Sequence, residues 1–447
     1  MIRQRNLGSY LFFKKERLPS LTFTLGGVGA IRPGGDASRI NMPSNDQIAE
    51  EAPPIVFSVV RETAEFSALQ ASWTALTGRI GSVHLHQTFA WQWRAWTCVA
   101  ERLGHRLAIV VGRVDGQVVL IWPLMHDGDY LRFLSSEQTE YRDILVEPGP
   151  SSAMWLEAAW DTVVRIRGAQ CLLLSDVRAD AKLTELLARR SPGGYRVERT
   201  AWLIKLENYS NWDTYASQRL THNLVRNQRK RWRRVAQLPG DVRLRMAETP
   251  EQIDAVLNWL FMRKMSWLRS RGISTRQFAR PEYQDFVRQT VMDAHAAGGL
   301  FAGRLGSETM TISASFGYAH EGRYISQSFA YDPEFHTLSP SRLLLETVIR
   351  WCFDRGLKEF DFLPGDTAYK ADWSDATMAV SEYRVPLTVL GRAKLAWHIH
   401  GLARIGRSAW LKTQYHRLPV NLRERLRRRF LVEMDYTAPT ERSDERD

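Results

Sequence analysis

Residues 300–365 read LFAGRLGSETMTISASFGYAHEGRYISQSFAYDPEFHTLSPSRLLLETVIRWCFDRGLKEFDFLPG, and their order of elements decides the fold. Three β-rich runs come first: Leu300 to Leu305, Thr309 to Tyr318 and Arg323 to Tyr331. The last two meet at Glu321-Gly322, a dipeptide suited to a tight hairpin turn. A helix is expected from Pro340 to Arg355, because Ser339 suits the N-cap, Pro340 the first helical position and Gly356 the stop. Lys358 to Leu363 then reads as a short strand that ends at Pro364-Gly365. A meander, a helix and a returning strand make a mixed α/β layer.

Outward from this core the pattern extends in both directions. Upstream lie a very basic helix over 213–237, a helix from Pro250 to Arg271 closed by Gly272, and another from Pro281 to Ala297. Downstream, Ala379 to Leu387 reads as a last strand. The first half shows similar alternation. Ile55 to Val60 reads as a strand, and Glu62 to Gly78 as a helix with Phe66, Leu69, Trp73 and Leu76 at helical spacing. Phe89 to Trp96 forms an aromatic helix whose rings read as core. A hairpin over 107–124 turns at Asp115-Gly116, and strands follow near 130–134 and 143–146. Met154 to Arg167 is a helix and Gln170 to Ser175 a strand. Two such halves, 53–200 and 201–390, are expected, preceded by a flexible extension over 1–52 and followed by a basic amphipathic tail over 391–447. Met42 is a candidate start for the chain.

The 447 residues carry 61 Lys and Arg against 49 Asp and Glu, a formal charge of +12 that favours an anionic partner. Three cysteines are too few and too scattered for a disulfide framework or a thiolate metal site, which implies a reducing cytoplasm. No stretch reaches the ~18 uncharged apolar residues of a membrane-spanning helix. Nucleotide-binding P-loops and Gly-x-Ser-x-Gly elbows are absent, which argues against an NTPase or a serine hydrolase. His84 and His86 alternate as strand neighbours and read as a solvated pair. No metal is expected.

The run Asp361 to Trp373, DFLPGDTAYKADW, resembles the "DF..G...YK..W" segment of the cellulose-biosynthesis acetyltransferase-like family of the GNAT superfamily. That family is similar to the FemABX aminoacyltransferases, which have two GNAT-like domains. Three other segments agree in order: the helix of Phe89, Trp93 and Trp96, the stretch Gly116 to Leu124, and the basic helix around Leu220 to Arg231. The resemblance covers about residues 55–390 and implies an α/β fold of two tandem GNAT-like (acyl-CoA N-acyltransferase) domains. It also implies an acyl donor such as acetyl-CoA; members of the family often accompany polysaccharide or envelope synthesis, and the expected acceptor is an amine or hydroxyl of a saccharide or lipid-linked envelope precursor, which the resemblance itself does not name. An aminoacyl-tRNA donor of the FemABX kind and a non-catalytic membrane-associated scaffold are the alternative readings.

Acyl transfer needs an anion cradle, an opening beside the thioester and a base. The start of the 340–355 helix offers the cradle through Ser339, Ser341 and Arg342, although the usual glycine-rich loop is replaced by His336-Thr-Leu-Ser-Pro-Ser341. Gln327 and Tyr331 alternate along the preceding strand and are expected to line the donor cleft. Asp361, between Phe360 and Phe362, is either a structural partner of an arginine or a base. Tyr369 is expected to protonate a departing thiolate or to pack on Trp373, and Lys370 to bind an acceptor anion. Tyr141 and Asp143 are candidate acceptor contacts. The cations of the basic helix spread around it and suit a phosphorylated ligand or RNA, while the tail suits an anionic membrane at the inner face.

Overall fold

The computed structural model describes residues 54–136, 140–191, 195–270, 276–365 and 368–397. The extension over 1–52 and the tail beyond Trp397 lie outside the described residues. In the first half, β1 (Val56–Val60) leads to α1 (Thr63–Ala68) and α2 (Gln70–Ile80), and α3 (Phe89–Arg94) runs into a π-helical turn, Ala95–Ala100. Then come β2 (Arg106–Leu107), β3 (Ile109–Val114), β4 (Gln117–Trp122), β5 (Leu124–Asp127), β6 (Tyr130–Phe133), β7 (Leu145–Val146), α4 (Ser152–Val164), β8 (Cys171–Arg178) and α5 (Lys182–Arg190). β9 (Tyr195–Ile204) leads into the second half.

That half opens with α6 (Trp212–Arg219) and α7 (His222–Val235), where one basic helix was expected. The break has a local cause: Leu220 is extended, and the Thr221 hydroxyl accepts the Leu224 amide at 3.2 Å to start a new helix. After β10 (Arg243–Met246) come α8 (Pro250–Ser270), α9 (Arg276–Ala279) and α10 (Pro281–Ala296). The core of the half is then β11 (Leu300–Gly306), β12 (Thr311–His320), β13 (Arg323–Tyr331), α11 (Pro340–Asp354) and β14 (Glu359–Pro364). α12 (Ala368–Trp373), β15 (Ala376–Pro386) and α13 (Val389–Ala396) close the described chain. Both hairpin dipeptides behave as read: Asp115 and Gly116 have φ of 50° and 80°, and Glu321 and Gly322 have 46° and 77°, the signs a tight two-residue turn requires.

The strands form a four-stranded sheet, β1-β3-β4-β7, and an eleven-stranded sheet, β10-β11-β12-β13-β14-β9-β15-β8-β6-β5-β2. The large sheet runs through both halves because two strands change places. β9 pairs antiparallel with β14 of the second half, and β15, from the end of the chain, enters between β9 and β8. Residue 200, the boundary read from sequence, therefore falls inside a strand that belongs to the second half's sheet. β8 is buried along its whole length, as expected of a strand covered on both faces, and its apolar run does not alternate.

Two apolar layers flank the second half's strands. On one face α8, α10 and the π-helical turn cover Ala302, Ala314, Ile325 and Leu363. On the other, α6, α7 and α11 cover Phe301, Ile312, Tyr324, Phe360 and Phe362. Trp91 of α3 reaches into the first layer, its ring edge-on to Phe286 at 5.2 Å and to Tyr318 at 5.4 Å. Arg94 makes two bonds to Asp293 of α10, at 2.8 and 2.9 Å, beside it. The aromatic helix read as core is thus core, and it packs against the opposite half.

Exchanged strands and a shared apolar layer make the halves one folding unit. Calorimetry should show one transition, and Trp91→Ala should cost about 3–5 kcal/mol while keeping that transition single in denaturant unfolding.

Candidate active site

β13 and β14 are parallel but pair only at Arg323–Ile325 against Glu359–Asp361. Past Ile325 the strands part. β13 carries an extra residue there, since Phe316 faces Ser328 while Tyr318 faces Ile325. Gly317 lies opposite this bulge, and a Cβ on it would stand 2.5 Å from the Ile325 carbonyl oxygen, so a side chain would force the strands apart. β14 turns away with Leu363 at φ 63° and has its own irregularity between Asp361 and Pro364. The result is a fork with Ile325 and Asp361 at its vertex. Gln327 and Tyr331 stand on the open prong, on either side of Phe329, which packs under α11. The Gln327 Oε1 is buried and has no hydrogen-bond partner. An amide-bearing arm lying in the fork would give that oxygen a donor.

At the start of α11 the sequence reading needs correction. Ser339 makes no side-chain cap; its φ of 47° and ψ of 55° are left-handed, and its amide closes the preceding turn on His336 O at 2.9 Å. The Arg342 amide is turned to Ser339 O at 3.0 Å and Pro340 has no amide hydrogen, so of the four donors of an ordinary helix start only the Ser341 amide is left for a cradle. Pro340 is first in the helix, as expected, followed by Ser341 and Arg342, both half-buried. α7 braces this end. Gln228 Nε2 donates to Arg342 O at 2.9 Å and to Glu346 at 3.0 Å, and Trp232 Nε1 reaches Glu346 at 3.3 Å. Leu224, Gln228 and Val235 are the buried stripe of α7. The cations are therefore not spread around the helix: Arg226, Arg229, Lys230, Arg233 and Arg234 are all exposed on the outward side. Arg219, in α6, is structural, since its guanidinium donates to Ser374 O at 2.7 Å and Ala371 O at 2.9 Å.

Asp361 is 3% exposed. Its Oδ1 accepts the Tyr141 hydroxyl at 2.8 Å and the Leu363 amide at 2.7 Å, and Arg178 stands 3.9 Å from its Oδ2. Burial pushes the carboxyl up to about 6, against the pull of the Leu363 amide, Arg178 and the Tyr141 hydroxyl. Burial and the neighbouring Asp361 carboxyl hold the Tyr141 phenol well above its ordinary value, so it stays protonated and donates. Arg178 stacks on the Tyr141 ring at 5.0 Å and is held by two 2.9 Å bonds to Asp180. The two sequence readings of Asp361, arginine partner and candidate base, coexist in this geometry.

Tyr369 is not brought to Asp361. It packs with Phe360 and Phe362 on the α11 face, while Asp361 and Leu363 face the opposite layer. Lys370 differs from its expected role as an anion binder: its buried ammonium donates to Leu363 O at 3.0 Å and Pro364 O at 3.4 Å, pinning the turn after β14. Asp143 also has a structural task, since its carboxylate accepts the amides of Lys182 at 2.7 Å, Leu183 at 3.1 Å and Ile144 at 2.8 Å, and so starts α5.

Beside Tyr141 lies a cavity of about 210 Å³, lined by His84, Asp143, Arg178, Asp180, Lys182 and Arg323 among others. Arg178 and Arg323 were missed in the sequence; an arginine ending the apolar run Cys171–Arg178 was the available signal. His86 is buried, and His84 is half-buried in the wall of the cavity. Burial, then Arg178 and Arg323, lower His84 well below its ordinary value, and burial followed by Arg142 and His320 brings His86 down to about 3. Glu140, pushed up to about 7 by burial and Asp176, sits among Arg142, Arg199 and Lys370. Among the described residues no group of three His, Cys, Asp or Glu could hold a metal ion.

Residues 222–371 match the family described as "Acetyltransferase (GNAT) domain". The fold is shared with the crystal structure of FemX at a TM-score of 0.51 and 12% identity, covering 72% of this chain and 98% of that one. The C-terminal domain of a putative lysylphosphatidylglycerol synthetase from Agrobacterium fabrum aligns over 74% of this chain and 95% of its own, with 10% identity and a TM-score of 0.45. A tandem GNAT protein from the clavulanic acid biosynthesis pathway aligns over 74% of this chain and 99% of its own, with 14% identity and a TM-score of 0.41. No curated protein matches the sequence. Residues 222–371 thus carry a GNAT domain, and the mixed α/β architecture is the fold shared with FemX.

His86 gives a test of the buried cluster. Its folded pKa lies below the unfolded value, so its neutral form supports the fold above pH 6.5 and that support is lost as pH falls toward 3. His86→Phe should recover about 2 kcal/mol of the acid loss at pH 5 relative to pH 7, read from urea unfolding at both pH values.

Proposed function

We propose that this protein transfers an acyl group from an acyl-CoA such as acetyl-CoA to an amine, or less readily a hydroxyl. The fork supports this reading most strongly, because it opens a seam in the sheet and carries a buried, hydrogen-bonded carboxyl at its vertex. Gln327 and Tyr331 would face the donor's amide arm, with Ser339, Ser341 and Arg342 near its phosphates. The cavity beside Tyr141 and Asp143 would admit the acceptor. Asp361, held by Tyr141 and turned by Arg178, would take the proton released as the amine nitrogen bonds to the acyl carbon. Tyr369, on the other face, would supply a proton to the sulfur as the carbon–sulfur bond breaks. Much of the rate would come from holding the reactants in register. The family resemblance favours an envelope or polysaccharide precursor as acceptor. Three buried unpaired thiols fit a cytoplasmic setting.

A second reading has its own observation. The outward cations of α7 stand behind the start of α11, where the glycine loop is missing, and would suit an aminoacyl-tRNA donor. Calorimetry with acetyl-CoA, longer acyl-CoAs and charged tRNA separates the two, since tRNA binding would fall steeply with salt. Failure of all three to bind would favour a non-catalytic scaffold.

Asp361→Asn should lower kcat about 100-fold or more with donor affinity kept, and Tyr369→Phe should lower kcat with donor affinity kept. Because Asp361 must be ionised to accept a proton, kcat/KM should fall as pH drops below about 6, and that limb should vanish in the Asn variant. Full activity in Asp361→Asn, or a fork still empty in crystals soaked with CoA, would sink the assignment.

A further inference from the structure

α13 is anchored by one face only. Thr388 caps it by accepting the Gly391 amide at 3.0 Å, Leu395 joins the small cluster of Tyr130, Cys171 and Leu173, and Gly391 lies so close to the Gln170 carbonyl that any Cβ would clash. Successive helical residues turn by about 100°, which sets Val389, Leu390, Ala393 and Trp397 within one arc of about 100°, opposite Gly391 and Leu395. That arc is open: Val389 is 88% exposed, Leu390 64% and Trp397 55%. Arg392 borders it on one side, exposed. On the other stands Lys394, held by Asp129 at 2.7 Å.

We infer that this stripe docks the protein on an anionic lipid surface, with Val389, Leu390 and Trp397 entering the headgroup boundary. Charge complementarity selects that occupant. The stripe is edged by cations, and from residue 391 to 430 the sequence has eleven Lys and Arg and one acid, Glu424. So basic a segment is a poor cover for a stripe bordered by its own sign of charge, whereas acidic headgroups would neutralise both. No helix among the described residues is long and apolar enough to cross a membrane. The docking does not depend on which donor the fork takes.

The full-length protein should sediment with vesicles of phosphatidylcholine and phosphatidylglycerol but not with phosphatidylcholine alone. The triple variant Val389→Ser, Leu390→Ser, Trp397→Ser should lose roughly tenfold or more in partitioning while its unfolding midpoint is unchanged. Unchanged binding of that variant would assign attachment to the distal tail and overturn the proposal. So would a mass for the variant half that of the unsubstituted protein in light scattering, which identifies a second copy as the occupant, or, without vesicles, faster proteolysis after residue 397 in the variant than in the unsubstituted protein, which identifies the tail itself.

Discussion

Burying a carboxyl group in an apolar strand is tolerable only where hydrogen-bond donors replace the lost water, and Asp361 makes that demand at the centre of the molecule. Its two donors are the Leu363 amide on its own strand and the Tyr141 hydroxyl, and Arg178 at the end of β8 adds a positive charge 3.9 Å away. Tyr141 and Arg178 belong to the first half of the chain. Satisfying one carboxyl therefore fixes how β8 and the connection after β6 approach β14. It also decides which side of the fork a proton acceptor can occupy.

The fork results from two local features acting together. A bulge in β13 ends the parallel pairing, and Gly317 lets the backbone close opposite it. β14 separates Asp361 from Tyr369 of α12, which packs with Phe362 on the α11 side. Behind the open prong, Gln228 ties α7 to the first turn of α11. Gln228, in the otherwise apolar buried stripe of α7, holds that helix start, and the outward cations are left to the surface.

Much of the architecture is legible in local sequence. The hairpins at 115–116 and 321–322, the aromatic core helix and the second-half meander follow from turn chemistry and periodicity. Asp361 stands out because a buried acid between two phenylalanines is costly unless it is paired. What escapes is non-local or conformational. Ser339-Pro340 reads as a cap, but the left-handed backbone at Ser339 turns its side chain away from that task. A lone lysine at 370 gives no sign that its ammonium closes on Leu363 O, seven residues earlier. β9 escapes because its outer half is exposed and rich in arginine, and its two partners lie far along the chain. Arg178 and His84 meet Tyr141 only through tertiary packing.

The place of β15 between β8 and β9 has a consequence for how the protein is made. As the chain leaves the ribosome, β8 emerges long before residues 376–386 can fill the slot beside it. At about 5–20 residues per second the delay is roughly 10–40 s. Throughout that interval an apolar strand presents an unpaired edge to other nascent chains. Translation speed and chaperone supply, which leave the finished molecule's stability untouched, would therefore govern its yield in the cell.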